Sequence, residues 1–115
     1  MTTSKEIFNR HVRLFNQGVR SGDFGPMTRH FVENAEMYFE GIPAGPFKGR
    51  EAIERAYSMQ PPDDEIVVLS VKEEPSKNVI IGEYAWSKNP KLRAGEMIIA
   101  IRGEGIEKLT VRYEQ

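Results

Sequence analysis

The chain has 115 residues and 13.1 kDa, with a formal net charge of −1 and a pI near 6.1. That length sets a single domain over residues 1–115, large enough to bury a core of its own. The charge balance gives no electrostatic footprint for nucleic acid or an anionic membrane surface. The absence of cysteine excludes disulfides, thiolate catalysis and thiolate metal sites.

The opening stretch MTTSKEIFNR carries no apolar signal core, and no apolar run approaches a membrane span. The expectation is a soluble, intracellular, cytoplasmic protein. Residues 3–20 read as a helix. Thr3 and Glu6 fit a capping box, and Ile7, Phe8, His11, Val12, Leu14, Phe15 and Val19 make one apolar stripe. Gly22 suits the position after a helix end. The run PMTRHFV predicts a short second helix with Pro26 in its first turn. AEMYFEG predicts a strand, IPAGPFKG a loop, and REAIERAYSMQ a third helix that PPDD terminates. Gly49 in that loop is expected at positive φ, which permits a sharp entry into the third helix.

The second half changes character. EIVVLSVKEE, NVIIGEYAWSK, GEMIIAIRG and IEKLTVRYEQ are rich in β-branched and aromatic residues and are separated by turn-forming segments. They predict four strands joined as a meander. Helices segregated from an antiparallel sheet make an α+β fold. VIIGEYAW and MIIAI are apolar on both alternating faces, whereas a half-solvated strand alternates polar and apolar. A second copy of the chain would cover the outer face, so a homodimer is expected. The alternative is a strongly curved sheet with both faces partly covered within one chain.

Three stretches taken together carry a resemblance: NQGVRSGDFGPMTRHFVENAEMYFEG, FKGREAIERAY, and the run of four closing strands. In this order and at this spacing the chain resembles the nuclear transport factor 2-like superfamily, which holds the ketosteroid isomerases and the SnoaL-like polyketide cyclases. The resemblance covers essentially the whole chain. It implies a cone-shaped α+β barrel, in which a curved, mostly antiparallel sheet wraps around N-terminal helices and leaves a conical pocket. It is almost silent on chemistry.

The isomerases of this family use an Asp base with a Tyr and a protonated Asp as hydrogen-bond donors. Counting from the Gly22-Asp23 step places Phe15 where the Tyr belongs and Phe39 where the base belongs, and the last hairpin places Met97 at the second Asp. All are apolar, and proton abstraction needs a group within hydrogen-bond reach. Strand parity brings Met37 inward with Phe39, and Ile99 with Met97. Tyr57 on the apolar side of the third helix and Trp86 complete the ligand-binding candidates. Such a set suits a hydrophobic ligand, and it equally suits a filled core.

Two polar residues are candidate acids or bases. His11 lies on the apolar stripe with an unperturbed pKa near neutrality; its alternative is a buried residue bonded to backbone. Glu83 would have a raised pKa if it faced the cavity; its alternative is an ion pair with Lys or Arg at the sheet. No metal set, phosphate loop or nucleophile motif stands out, and no cofactor is expected. The leading reading is a binding domain for a small hydrophobic molecule. An isomerase-, dehydratase- or cyclase-type enzyme acting through His11 or Glu83, and a protein-interaction module, are the other readings.

Overall fold

A computed structural model describes residues 2–113 of the chain. Helix α1 spans Ser4–Ser21, and the capping box is formed in full. The Thr3 side chain accepts from the Glu6 N–H, and the Glu6 carboxylate reaches back to the Thr3 backbone. Gly22 closes the helix in the left-handed region, with φ at 82°. The stripe reads as expected, with Ile7, Phe8, His11, Val12 and Phe15 buried.

Helix α2 is one turn, Gly25–Thr28. Phe31 and Val32, expected in that helix, instead open strand β1, which spans Phe31–Glu40. The reason is pairing far along the chain: Phe31 lies opposite Ile106 in a parallel ladder, and the Ile106 N–H donates to the His30 carbonyl. Part of the expected loop is also a strand. Phe47–Lys48 forms the two-residue strand β2, antiparallel to Glu36 and Met37 of β1.

Helix α3 spans Arg50–Met59, and strands β3 (Ile66–Glu74), β4 (Val79–Trp86), β5 (Arg93–Arg102) and β6 (Gly105–Tyr113) follow. The four closing strands are the expected antiparallel meander. The full sheet has six strands in the order β2-β1-β6-β5-β4-β3, and only the β1–β6 pair is parallel. The fold is therefore α+β with a curved, mostly antiparallel sheet, but β2 and β3 do not pair and the barrel stays open. Register shifts in β1–β6, β3–β4, β4–β5 and β5–β6 concentrate twist and bend the sheet over α1.

The inner face meets α1 closely. Gly82 of β4 lies under the Phe8 ring, and a Cβ there would stand 2.1 Å from Phe8 Cζ. Phe8 is fully buried as a result. Removing a side chain of that size from water stabilises by about 1.5–3 kcal/mol. Asn16 of α1 ties the lip of the sheet to the helix. Its side-chain carbonyl accepts from the Ile66 N–H at 2.7 Å, and its amide donates to the Ile66 carbonyl at 3.0 Å. No helix among the described residues is long and apolar enough to cross a membrane.

On the outer face, cross-strand register sets Glu40, Arg112, Glu96 and Glu83 in one transverse row and Tyr38, Thr110, Ile98 and Ile81 in the next. Arg112 bridges Glu40 at 2.8 Å and Glu96 at 3.0 Å. These partly exposed pairs each contribute little to stability.

Candidate functional site

Between α1, α3 and the concave face of the sheet lies a cavity of about 580 Å³. Phe15 and His11 of α1 line one side of it, and Ala56 and Tyr57 of α3 close another. Across the sheet, Phe39, Val111 and Met97 are direct cross-strand neighbours, and Met37 and Leu109 make the next such pair. All five line the cavity. Tyr84 and Trp86 of β4 enter on the same face, with ring centroids 5.5 Å apart and edge to face.

The strand parity inferred for β1 and β5 is the observed one. Tyr38 and Glu40 turn outward, where Tyr38 donates to Glu36 and lies under the Lys108 ammonium at 4.8 Å. Phe47 of β2 also faces the cavity. Its ring meets Phe39 edge to face at 6.3 Å and forms part of the wall. Ile99 shares the inward face with Met97, yet it is fully buried in the solid core between Ile80 and Leu109 and does not line the cavity.

Glu83 is on the wrong side of the sheet for a base in the cavity. Gly82 and Tyr84 point inward, so Glu83 between them points outward. There it accepts from the Ser70 hydroxyl and pairs with the Arg93 guanidinium. The Ser70 hydrogen bond first, and Arg93 second, hold its carboxyl below the ordinary range. The shift runs opposite to the one a buried general base would need.

His11 does reach the cavity wall. It is 2% exposed, sits edge-on to Phe31 at 5.8 Å, and its Nδ1 makes no hydrogen bond. Burial, then the nearby charges of Arg10 and His30, lower its pKa to about 4, so the imidazole is neutral at physiological pH.

Three tyrosines, of which the sequence reading put Tyr57 among the ligand-binding candidates, complete the polar content. Tyr57 donates to the Met37 sulfur at 3.7 Å. Tyr113 of β6 lies against Tyr84, with centroids 6.5 Å apart. Tyr113 was accessible to parity: it follows Leu109 and Val111 at two-residue steps on the inward face of β6. The charged lining residues lie on loops at the cavity's edge. Asp63 and Asp64 precede β3, and Lys88 follows β4. Asp64 accepts from Ser87 and from the Lys88 and Glu65 N–H groups, chiefly the first, and these bonds hold its pKa down. No cluster of three or more His, Asp or Glu among the described residues could hold a metal ion.

This architecture recurs in solved structures. An NTF2-like protein of unknown function from Cytophaga hutchinsonii matches at a TM-score of 0.76, with 18% identity over 99% of this chain and 92% of that one. The fold is nuclear transport factor 2-like. A second such protein, from Burkholderia xenovorans, matches at a TM-score of 0.71, with 19% identity over 99% of this chain and 88% of that one. A Methylobium petroleophilum protein with a cystatin-like fold matches at 0.72, with 19% identity over 100% of this chain and 80% of that one. No family model and no curated protein matches the sequence. At these identities the nuclear transport factor 2-like likeness carries the fold, and the chemistry has to come from the side chains.

Proposed function

We propose that this protein is a SnoaL-like domain that binds a small apolar molecule in the cavity under its curved sheet. The observation that carries the reading is the cavity itself: about 580 Å³, walled by Phe15, Met37, Phe39, Trp86 and Met97. Ligand sites in this size range are mostly apolar with a few placed polar groups. Phe15, Phe39 and Met97 stand at the positions that counting assigns to the isomerase donors and base. None of them can accept or donate a proton, which favours binding over isomerase chemistry.

Trp86 is the single tryptophan of the chain and lies in the cavity wall, so its fluorescence reports on that place alone. A neutral naphthylamine dye is expected to quench Trp86 saturably. Val111→Phe, which adds a ring between Phe39 and Met97, is expected to weaken that quenching. Unsaturable quenching, or equal affinity in the filled variant, would overturn the reading.

The protein also pairs with a second copy of itself in this proposal. Ile81 and Ile98 are cross-strand partners on the outer face of the sheet, and both remain half-buried rather than fully buried within one chain. Light scattering at micromolar concentration is expected to give twice the chain mass, and Ile98→Lys to return it to one.

A further inference from the structure

We propose that Arg10, Arg13, Arg29 and His30, on the side of α1 away from the cavity, form a binding site for the phosphate dianion of a small soluble phosphomonoester. The site is separate from the cavity and stands whether or not the cavity takes a ligand.

The charge pattern of the chain is uneven. Residues 1–30 carry five Lys or Arg against two Asp or Glu, a net of +3, while the rest of the chain carries −4. Folding gathers part of that excess. Arg10 and Arg13 are three apart on α1 and share a face. That face is roughly opposite to His11 and Phe15, which line the cavity. Arg29 closes α2, and His30 follows it. The two pairs are held together through the start of β6. The Arg10 Nη2 donates to the Glu104 carbonyl at 2.7 Å, and the His30 carbonyl accepts from the Ile106 N–H at 2.9 Å. Burial first, and then the charges of Arg10, Arg13 and Arg29, lower the pKa of His30.

The cluster has no counter-charge of its own. Among the described residues, none of the four makes an ion pair. The charged groups around it are engaged elsewhere. The Glu104 carboxylate accepts from the Thr2 hydroxyl. Asp23, on the same side of Gly25 as the Arg29 guanidinium, accepts from the Gly25 N–H at 2.9 Å. Arg50 of α3 donates to the Phe31 carbonyl at 3.3 Å, and His11 behind the cluster is buried and neutral. The Arg10 Nε is buried without an acceptor, so this guanidinium is fixed in place and short of a partner. Gathered cations repel one another, and an unpaired charged donor is costly. A bound dianion relieves both.

The donors select the kind of anion. Guanidinium forks match phosphate oxygens in pairs. A histidine that titrates near neutrality complements a phosphate group whose second ionisation lies near 6. Arg13 and Arg29 are exposed and His30 is half-buried, so an anion reaches them from solvent. Three arginines and one imidazole suffice for a single phosphate and fall short of the extended basic stripe that a polyanion needs. The negative remainder of the chain disfavours an anionic bilayer.

Phenyl phosphate titrated into the intact protein at constant ionic strength, with chloride as the control anion, tests the site through the NMR signals of His30, Arg13 and Arg29. Saturable binding is expected, weakened roughly 3- to 10-fold by Arg13→Gln and by Arg29→Gln. Both side chains are exposed, so these variants keep the fold. The bound dianion opposes the field of the arginines, so the His30 pKa is expected to rise on binding. Sulfate, a dianion across the whole range, is expected to bind more tightly as the pH falls through the His30 titration, and His30→Gln to abolish that dependence. Shifts that chloride reproduces at equal ionic strength would overturn the site. Phenyl phosphate affinity unchanged in both arginine variants would do the same. Phosphatidate vesicles or a single-stranded oligonucleotide binding through these residues, with no response to phenyl phosphate, would overturn the small soluble ligand.

Discussion

Replacing His11 by leucine converts a buried titratable group into an apolar one of similar length, and the consequence is a change in how stability depends on pH. In the folded chain, burial with the charges of Arg10 and His30 sets the His11 pKa at about 4, while an unfolded histidine titrates near 6.5. Between those values the unfolded chain binds more protons than the folded one, so stability falls as the pH is lowered through 6.5 and stops falling below about 4. The two pKa values imply a loss of about 2 kcal/mol by pH 5 and about 3 kcal/mol by pH 4 from this residue alone. His30 shifts in the same direction, and Asp64 and Glu83 lose their own stabilisation at still lower pH. All three are present in both proteins, so the wild-type-minus-variant difference isolates His11. Urea unfolding followed by Trp86 fluorescence from pH 8 to pH 4 measures it. The expected result is a wild-type stability that drops toward, or below, that of His11→Leu as the pH falls. Two curves that run parallel from pH 7 to pH 4 would refute the reasoning, as would an NMR titration of His11 with a midpoint near 6.5.

Asn16→Ala removes both hydrogen bonds that hold the Ile66 backbone to α1. A loss of about 1–3 kcal/mol in urea unfolding is expected, with Asn16→Asp intermediate because it keeps the acceptor. Gly49 has φ at 94° and its nearest neighbour to a built Cβ is the Glu33 carbonyl at 3.9 Å, so any cost of substitution there is conformational rather than steric. Gly49→Val is expected to lower stability by about 1–3 kcal/mol; unchanged thermal unfolding would remove the strain argument.

Much of this architecture is written locally in the sequence. The Thr3–Glu6 box, Gly22 after α1 and the apolar stripe from Ile7 to Phe15 act within a few residues of one another, so pattern alone locates them. The closing meander is legible for the same reason, since each strand pairs with the next. What pattern misses is held by partners far along the chain. Phe31 and Val32 continue a helical-looking run, and only the parallel ladder to β6 makes them strand. Phe47 and Lys48 are a strand only because Met37 and Glu36 lie opposite.

The site divides along the same line. Parity fixes which residues share a face, and it grouped Met37 with Phe39 and Met97 with Ile99. It does not fix which face is concave where both faces are apolar, and that is why Glu83 could be weighed as a cavity residue. Nor does it separate hollow from solid. Met97 and Ile99 point the same way, but Ile99 is fully buried between its cross-strand neighbours Ile80 and Leu109, while Met97 lines the cavity. The boundary between core and cavity is set by sheet curvature, and curvature comes from bulges, which a run such as VIIGEYAW does not announce. The cavity's aromatic content follows from that geometry. A strongly bent sheet over α1 and α3 leaves more volume than aliphatic side chains fill, and Phe39, Tyr57, Tyr84, Trp86 and Tyr113 supply bulk around its margin without closing it. Tyrosine at three of those places adds hydroxyl groups to that bulk, which the fold alone does not dictate.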